Sequence, residues 1–231
     1  MPYRRTDNVV RRLAAREQTI LEAATEMAAE GGMGAVQIAD VAKRAGIAAG
    51  TVYRYFPSKT DLVAELVAAV AGRELDAMKA AAAAAPGPLS ALAASIATFA
   101  ARSLAERRLA WAVIAEPIDA AVDAMRLDFR QSLASELETR IRAAIDGKLL
   151  PEQDARVAAP AIVGALMEGL LGPLAPSHDG DAAGSREAVQ GATLLALRAL
   201  GIVDARARGL VAQCVLPSQP LVPAKAGTQS H

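Results

Sequence analysis

The segment 38–59, IADVAKRAGIAAGTVYRYFPSK, constrains the fold of this chain more than any other stretch. Apolar residues recur in it every three or four positions, which predicts two short helices at 38–45 and 49–56. Gly46 lies between them, where the turn needs a residue that reaches positive φ, and Pro57 ends the second helix. Two short helices joined by a glycine turn form a helix-turn-helix.

The flanking residues complete a small helical head. Apolar residues at spacings of three and four predict a helix at 13–30, which Gly31 and Gly32 end. Ser58 and the aspartate three residues later predict the start of a fourth helix at 59–78, because both can satisfy the free N–H groups of a first turn. We therefore expect a helix-turn-helix domain at 15–60.

The second helix of the motif is unusually rich in aromatic and basic side chains. The chain has seven aromatic residues, and Tyr53, Tyr55 and Phe56 lie within four positions of one another, around Arg54. Tyrosine can pack on sugars and donate to phosphates, while arginine can contact guanine or hold a phosphate. We expect this helix to enter the major groove of DNA.

Further contacts are expected beside it. Gly50 lets the backbone come close to DNA, and Thr51 offers a methyl and a hydroxyl group. Lys59 at the start of the fourth helix suits a phosphate, and Gln37 is similarly placed before the 38–45 helix. Two other interpretations stay open: such motifs occur in proteins that do not bind DNA, and the two tyrosines could cover the head's own core.

The charge distribution supports a polyanion at the N-terminal end. The whole chain is neutral, but residues 1–60 hold nine Lys/Arg and six Asp/Glu, a net charge of +3, and the remainder carries −3. Five arginines crowd the start of the chain, at positions 4, 5, 11, 12 and 16. We expect residues 1–14 to be a flexible basic arm that either reaches DNA or only adds solubilising charge.

The segment IADVAKRAGIAAGTVYRYFPSKTDL resembles the DNA-binding signature of the TetR family of transcriptional regulators. The resemblance covers about 50 residues and implies an all-helical homodimer whose C-terminal domain binds a small effector and releases DNA. Carried over by the motif, the DNA-contacting positions are Gln37, Ala39, Ala49, Gly50, Thr51, Tyr53, Arg54, Tyr55 and Lys59. Three positions depart from the family pattern: Ala48 replaces a capping Ser, Ala49 a polar residue, and Gln37 a Thr or Ser.

Beyond residue 60 the sequence predicts a helical body, in an all-α fold of about nine helices. Helices are expected near 89–105, 107–116, 119–146, 151–174 and 185–201, which places a ligand-binding and dimerisation domain at 61–203 and a flexible tail at 204–231. The helices at 151–174 and 185–201 are apolar nearly all round and need a partner chain as cover. The residues expected at this homodimer interface are Ile162, Gly164, Ala165, Leu166, Gly169, Leu170, Ala192, Leu194, Leu195 and Leu197.

The effector pocket is expected among large side chains of the body. The resemblance places it between the central helices, where Phe99, Trp111, Ile114, Met125, Arg126, Phe129 and Met167 are candidates for its lining. The alternative is that these residues are ordinary core. Arg126 and Arg130 could orient an acidic ligand, but solvated surface pairing is the interpretation we favour.

Other functional classes find little support in the sequence. Cys214 stands alone and the two histidines lie far apart, so we expect no disulfide, no metal site and no cofactor. We see no catalytic constellation, signal peptide or membrane span, and expect a cytoplasmic protein that is not an enzyme. The preferred hypothesis is a repressor that an unknown effector releases from a palindromic double-stranded DNA operator. The alternative is a helical sensor or protein-interaction module whose head does not bind DNA.

Overall fold

The computed structural model describes residues 7–116, 120–176 and 182–214, and over these residues the predicted all-helical fold is confirmed. The α-helices are α1 (Asp7–Gly31), α2 (Ile38–Arg44), α3 (Ala49–Tyr55), α4 (Lys59–Ala83), α5 (Pro88–Ala105), α6 (Arg107–Ile114), α7 (Ala120–Asp146), α8 (Ala155–Leu166), α9 (Ala182–Ala199) and α10 (Asp204–Gln213). A 3₁₀ turn (Met33–Ala35) follows α1, and a π-helical turn (Met167–Leu171) follows α8.

The helix-turn-helix forms where the sequence predicts it. α2 and α3 pack against each other, and both α1 and the turn at Gly46, whose φ is 67°, position them. Ile20, Val41 and Val52 are wholly buried between the three helices. The Oγ atom of Ser58 accepts from the backbone N–H of Asp61 at 3.1 Å, which is the predicted start of α4.

The body is a bundle around α5. This helix packs against α4, α7 and α9, and its many alanines allow those helices to approach on several sides. α5 is also long and apolar enough to cross a membrane, but 67% of it is buried inside the protein. Burial of most of this helix explains its composition, because a core helix has little surface that must stay polar.

Two predictions about the chain ends were wrong within the described residues. α1 begins at Asp7, so the predicted flexible arm is helical from there on; Arg4 and Arg5 lie outside the described residues. The predicted tail contains α10, a tenth helix. Ala207 of α10 is fully buried, and Asp204 in its first turn pairs with both Arg198 and Arg208. Packing on α5 and α9 thus orders a segment whose composition alone favoured disorder.

Candidate nucleic-acid interface

Helix α3 presents two different faces. Val52 and Phe56 are buried in the head and hold the helix in place. On the other side Tyr53 is 52% exposed and Arg54 is also exposed, while Tyr55 is half-buried. Because Val52 and Phe56 are buried on one side of α3, Tyr53 and Arg54 lie on the exposed surface of the head.

A basic groove runs between α3 and the first turns of α1. Thr51, Arg54 and Tyr55 form one wall, and Arg12 and Arg16 contribute to the other. The remaining lining residues are Val9, Leu13, Ala15 and Thr19. This groove therefore carries three guanidinium groups and, among its described lining residues, no carboxylate.

Arg12 and Arg16 are the contribution that the motif did not identify. The sequence analysis placed Arg12 in the flexible arm at 1–14 and Arg16 in the predicted helix at 13–30, whereas α1 holds both on one face of a single helix. Arg12, Arg16 and the buried Ile20 are spaced by four residues, which places them on the same face of a helix. This spacing could have predicted the position of the two arginines.

The other predicted contact positions lie outside this groove. Gln37, Ala39 and Gly50 are exposed, and Ala49 and Lys59 are half-buried. The amide of Gln37 donates to the carbonyl oxygen of Gly34 at 2.9 Å, so that side chain is turned back toward its own head.

No side chain among the described residues caps the start of α3. Ala48 occupies the capping position, and the N–H of Thr51 bonds to the carbonyl oxygen of Ala48 at 2.8 Å instead. The sequence identified this departure, which leaves first-turn N–H groups available.

One basic residue of the head is committed to the head itself. Both terminal nitrogens of Arg44 bond to the Glu30 carboxylate, at 2.7 and 2.6 Å. The hydrogen bond with Glu30, together with the charges of Glu30 and Glu26, raises the pKa of Arg44 despite partial desolvation. Arg44 therefore joins α2 to α1, and its charge is largely balanced within the protein.

Helix α6 connects this head to the body. Arg108 donates to the carbonyl oxygen of Gly31 at 3.1 Å, and Glu116 accepts from the N–H of Met33 at 3.3 Å. Arg108 and Glu116 also pair with each other at 3.4 Å. Gly32 lies against both side chains with a φ of 75°, a conformation that favours glycine.

The interior of the body contains a small cavity. Its volume is about 10 Å³, enough for roughly one water molecule. It is lined by Val70, Glu74, Phe99, Ser103, Ala110, Val113, Ile114, Phe129 and Leu171. Phe99, Ile114 and Phe129 were predicted pocket residues; Trp111, Met125, Arg126 and Met167 were also predicted but do not line this cavity.

Glu74 is the charged residue among the described residues that line this cavity. Its side chain is buried, and one carboxylate oxygen accepts from Nε of Arg102 at 2.7 Å. Burial raises the pKa of Glu74 to about 7, and the hydrogen bond and charge of Arg102 offset only part of that rise. Sequence reasoning missed Glu74, although Leu62, Leu66 and Val70 precede it at intervals of four along the buried stripe of α4.

The favoured interpretation of Arg126 was wrong. Its side chain is 2% exposed, not solvated. It donates to the carbonyl oxygen of Ala112 at 2.5 Å and pairs with Asp123 at 3.2 Å. Arg126 thus joins α7 to α6, and its terminal nitrogens are already used.

Over the described residues the fold is helical throughout, with a helix-turn-helix head whose second helix has an exposed face. Residues 20–66 match the family model described as bacterial regulatory proteins, tetR family.

Relatives match the chain over its head. The HTH-type transcriptional repressor KstR of Mycolicibacterium smegmatis is 51% identical over 61 residues, which are 26% of this chain and 28% of that protein. The fatty acid metabolism regulator protein of Bacillus subtilis is 38% identical over 60 residues, 26% of this chain and 31% of that protein. The chain thus matches less than a third of the length of these relatives.

Solved structures share the fold over most of the chain. RolR in complex with resorcinol superposes with a TM-score of 0.63 at 21% identity, covering 89% of this chain and 98% of that one. FadR from Bacillus subtilis in complex with stearoyl-CoA gives a TM-score of 0.68 at 21% identity, covering 80% and 98%. At this level of identity the similarity establishes the fold of the body and not its ligand.

Proposed function

We propose that this protein is a ligand-responsive, DNA-binding transcriptional regulator that represses by occupying a palindromic operator. The observation that carries the proposal is the outward face of α3, with Tyr53 and Arg54 exposed beside the basic groove. An α-helix fits the major groove of DNA. With α3 in the major groove, the arginines of the protein's basic groove would lie close to the phosphates beside the helix. The head at 15–60 would act as the DNA-binding domain, and 61–203 as the ligand-binding and dimerisation domain.

Gly50 supports the proposed approach to DNA. It is exposed, and a Cβ atom built on it meets no atom of the described residues within 4 Å. Internal packing therefore does not require glycine here. The close approach of a DNA backbone or base would require glycine, because a side chain at this position would project outward from the first turn of α3.

The proposed contacts divide by chemistry. Tyr53, Tyr55 and Lys59 would bind the sugar-phosphate backbone and set the register of the head. Arg54 is the candidate for a guanine contact, and Thr51 for a thymine methyl or a phosphate. Gln37, Ala39 and Ala49 would lie close to the DNA backbone, with Gln37 first releasing its bond to Gly34.

A homodimer through α8 and α9 would place two such heads on one duplex. These helices enclose an open apolar groove lined by Ile162, Ala165, Leu166, Gly169, Leu170, Pro176, Ala188, Gly191, Ala192, Leu195, Ala196 and Ala199. Leu195 is 61% exposed there, and the small residues would let a second copy approach closely. Two-fold symmetry would then match a palindromic site. Leu197 was expected at the interface but is fully buried within its own subunit.

The body would respond to a small effector. The cavity wall includes Ala110, Val113 and Ile114 of α6. Arg108 of the same helix bonds to the end of α1, and Glu116, two residues after the helix, bonds to Met33. An occupant that enlarges the cavity would shift α6 and with it the head, so effector and operator would compete. The relatives named for resorcinol and stearoyl-CoA bind different chemistries, and neither is carried over to this chain.

This proposal assigns regulation to the protein, without catalysis, and a cytoplasmic location, where its DNA would be. Selection of bound fragments from the genome of the source organism tests it. We expect enrichment of a short inverted repeat whose half-sites are about one helical turn apart or a multiple of that. Recovery of no specific fragment, together with a head that binds a protein partner, would favour the sensor or interaction module instead.

A further inference from the structure

Glu74 has a buried carboxylate oxygen that no described residue of the chain hydrogen-bonds. Its residue exposure is 3%, and one oxygen is committed to Arg102. Among the residues that the structure describes, the other oxygen, Oε1, has no hydrogen-bond partner. A buried acceptor without a donor is costly, so native proteins rarely keep one unless water or a ligand completes it.

The position of Glu74 shows where that donor would come from. Glu74 lines the interior cavity, whereas Arg102 does not. Glu74 is also the single charged residue among the described lining residues, and the rest of the wall is apolar except for Ser103. The oxygen left over from the ion pair is therefore the one available to a molecule in the cavity.

Charge restricts the chemistry of that molecule. Arg102 already balances the charge of Glu74. Burial lowers the pKa of Arg73, and the positive charge of Arg102 lowers it further. An amine would add a further positive charge to this buried region. An acid would meet the carboxylate of Glu74 directly, since neither arginine is on the cavity wall.

A hydroxyl group satisfies these constraints. It is neutral, it donates to an ionised carboxylate, and it accepts from a protonated one. In the absence of a ligand the cavity has room for about one water, whose place such a hydroxyl would take. The apolar remainder of the molecule would lie against Phe99, Phe129 and Ile114, which must move apart to admit it.

We propose that Glu74 forms the polar end of an effector site that takes a small, largely apolar alcohol or phenol, with the ligand hydroxyl on Oε1. This inference rests on the proposed function for its regulatory meaning, but the binding site can be tested separately from DNA binding.

Calorimetric titration of the full chain with four near-isosteric compounds tests the site. Benzyl alcohol, ethylbenzene, benzylamine and benzoate differ in the group that would meet Glu74, and their cyclohexyl counterparts extend the series. The quantity measured is the ratio of the ethylbenzene Kd to the benzyl alcohol Kd. We expect this ratio to be at least tenfold higher in the parent than in Glu74→Leu/Arg102→Met, which removes the pair together so that neither charge is orphaned.

Two further variants keep the result unambiguous. Glu74→Gln retains the shape of the side chain and should lower the ratio at least threefold even if the double variant does not fold. Glu65→Gln changes an exposed glutamate of the same helix and should leave the ratio as it is in the parent. An equal ratio in the parent and both Glu74 variants, tighter binding of benzylamine or benzoate than of benzyl alcohol, or no binding by either series would overturn the proposal.

Operator binding by the same preparations separates the two proposals. If the parent binds DNA but shows no dependence of the ratio on Glu74, the alcohol site is wrong and the regulator proposal stands. If the ratio depends on Glu74 but the protein binds no DNA, the site stands and the regulator proposal fails.

Discussion

Arg108, in the first turn of α6, donates to the carbonyl oxygen of Gly31 at the end of α1 over 3.1 Å. Two residues beyond the C-terminal end of α6, Glu116 accepts from the N–H of Met33. The first turn of α6 and the segment that follows the helix thus both contact the turn that precedes the helix-turn-helix. Because α6 also lines the interior cavity, a change in the size of the cavity can be transmitted to the head through this one helix.

Replacing Gly32 tests this junction. In Gly32→Ala the residue would be strained at a φ of 75°, and its Cβ would lie 2.6 Å from Oε2 of Glu116 and in contact with the Arg108 guanidinium. We expect the free energy of unfolding to fall by about 1–3 kcal/mol, measured by chemical denaturation. Gly34→Ala is the matched control, since a Cβ there meets nothing within 4 Å in the part of the chain that the structure describes. Equal stability of the two variants would contradict the role of the junction.

Glu74 predicts a specific pH dependence of stability. Its pKa rises from an ordinary 4.5 to about 7 on folding, so between these values the native state binds more protons than the unfolded state. Protonated Glu74 therefore contributes to the free energy of unfolding. This contribution is complete below pH 4.5 and declines as the pH rises toward 7, by an amount on the order of 3 kcal/mol. Denaturation of parent and Glu74→Gln at several pH values should show this decline in the parent alone. Parallel curves would mean that the carboxylate titrates normally.

The dimer prediction depends on the exposed part of α9. Leu195→Arg places a charge in the apolar groove between α8 and α9, and we expect it to shift the protein from dimer to monomer in sedimentation. Val203→Arg changes a residue that is 72% exposed but not part of that groove, and should remain dimeric. A parent that is monomeric at micromolar concentration, or a dimer that tolerates Leu195→Arg, would count against the interface.

The head could be predicted from the sequence because its determinants are local. Turn glycines, Pro57 and the Ser58 cap fix helix ends by interactions a few residues apart. α10 could not, because long-range packing on α5 and α9 orders it. The start of α1 was also missed, and its described residues are mostly exposed. Arg126 was also misjudged, because its main partner, the carbonyl oxygen of Ala112, lies on another helix. Glu74 was visible as a charge on an apolar stripe, but its free oxygen and its cavity were not.

The basic groove makes a prediction about salt. Arg12→Ala should weaken DNA binding and lower the slope of log K against log salt by about one, the loss of one phosphate contact. Arg11→Ala removes the same charge from a residue that does not line the groove and should leave the slope nearly unchanged. Fluorescence anisotropy of a labelled duplex measures both. Identical slopes would show that Arg12 acts only through the general charge of the head.

The recognition helix predicts the largest single-residue effects. Tyr53→Ala and Lys59→Ala should each weaken binding about fivefold to twentyfold through lost phosphate contacts. Stability should change little in Tyr53→Ala, because more than half of that side chain is exposed. Tyr53→Phe retains the ring and isolates the contribution of the hydroxyl group.

The most direct test is an anisotropy titration of the full chain on duplex DNA from upstream of its own gene, repeated across a range of salt concentrations. We expect saturable binding with two subunits per site and a Kd that rises steeply with salt, weakened in Tyr53→Ala and Lys59→Ala without loss of the dimer. Binding that is insensitive to salt, or equal affinity in the parent and both variants, would contradict insertion of α3 into DNA.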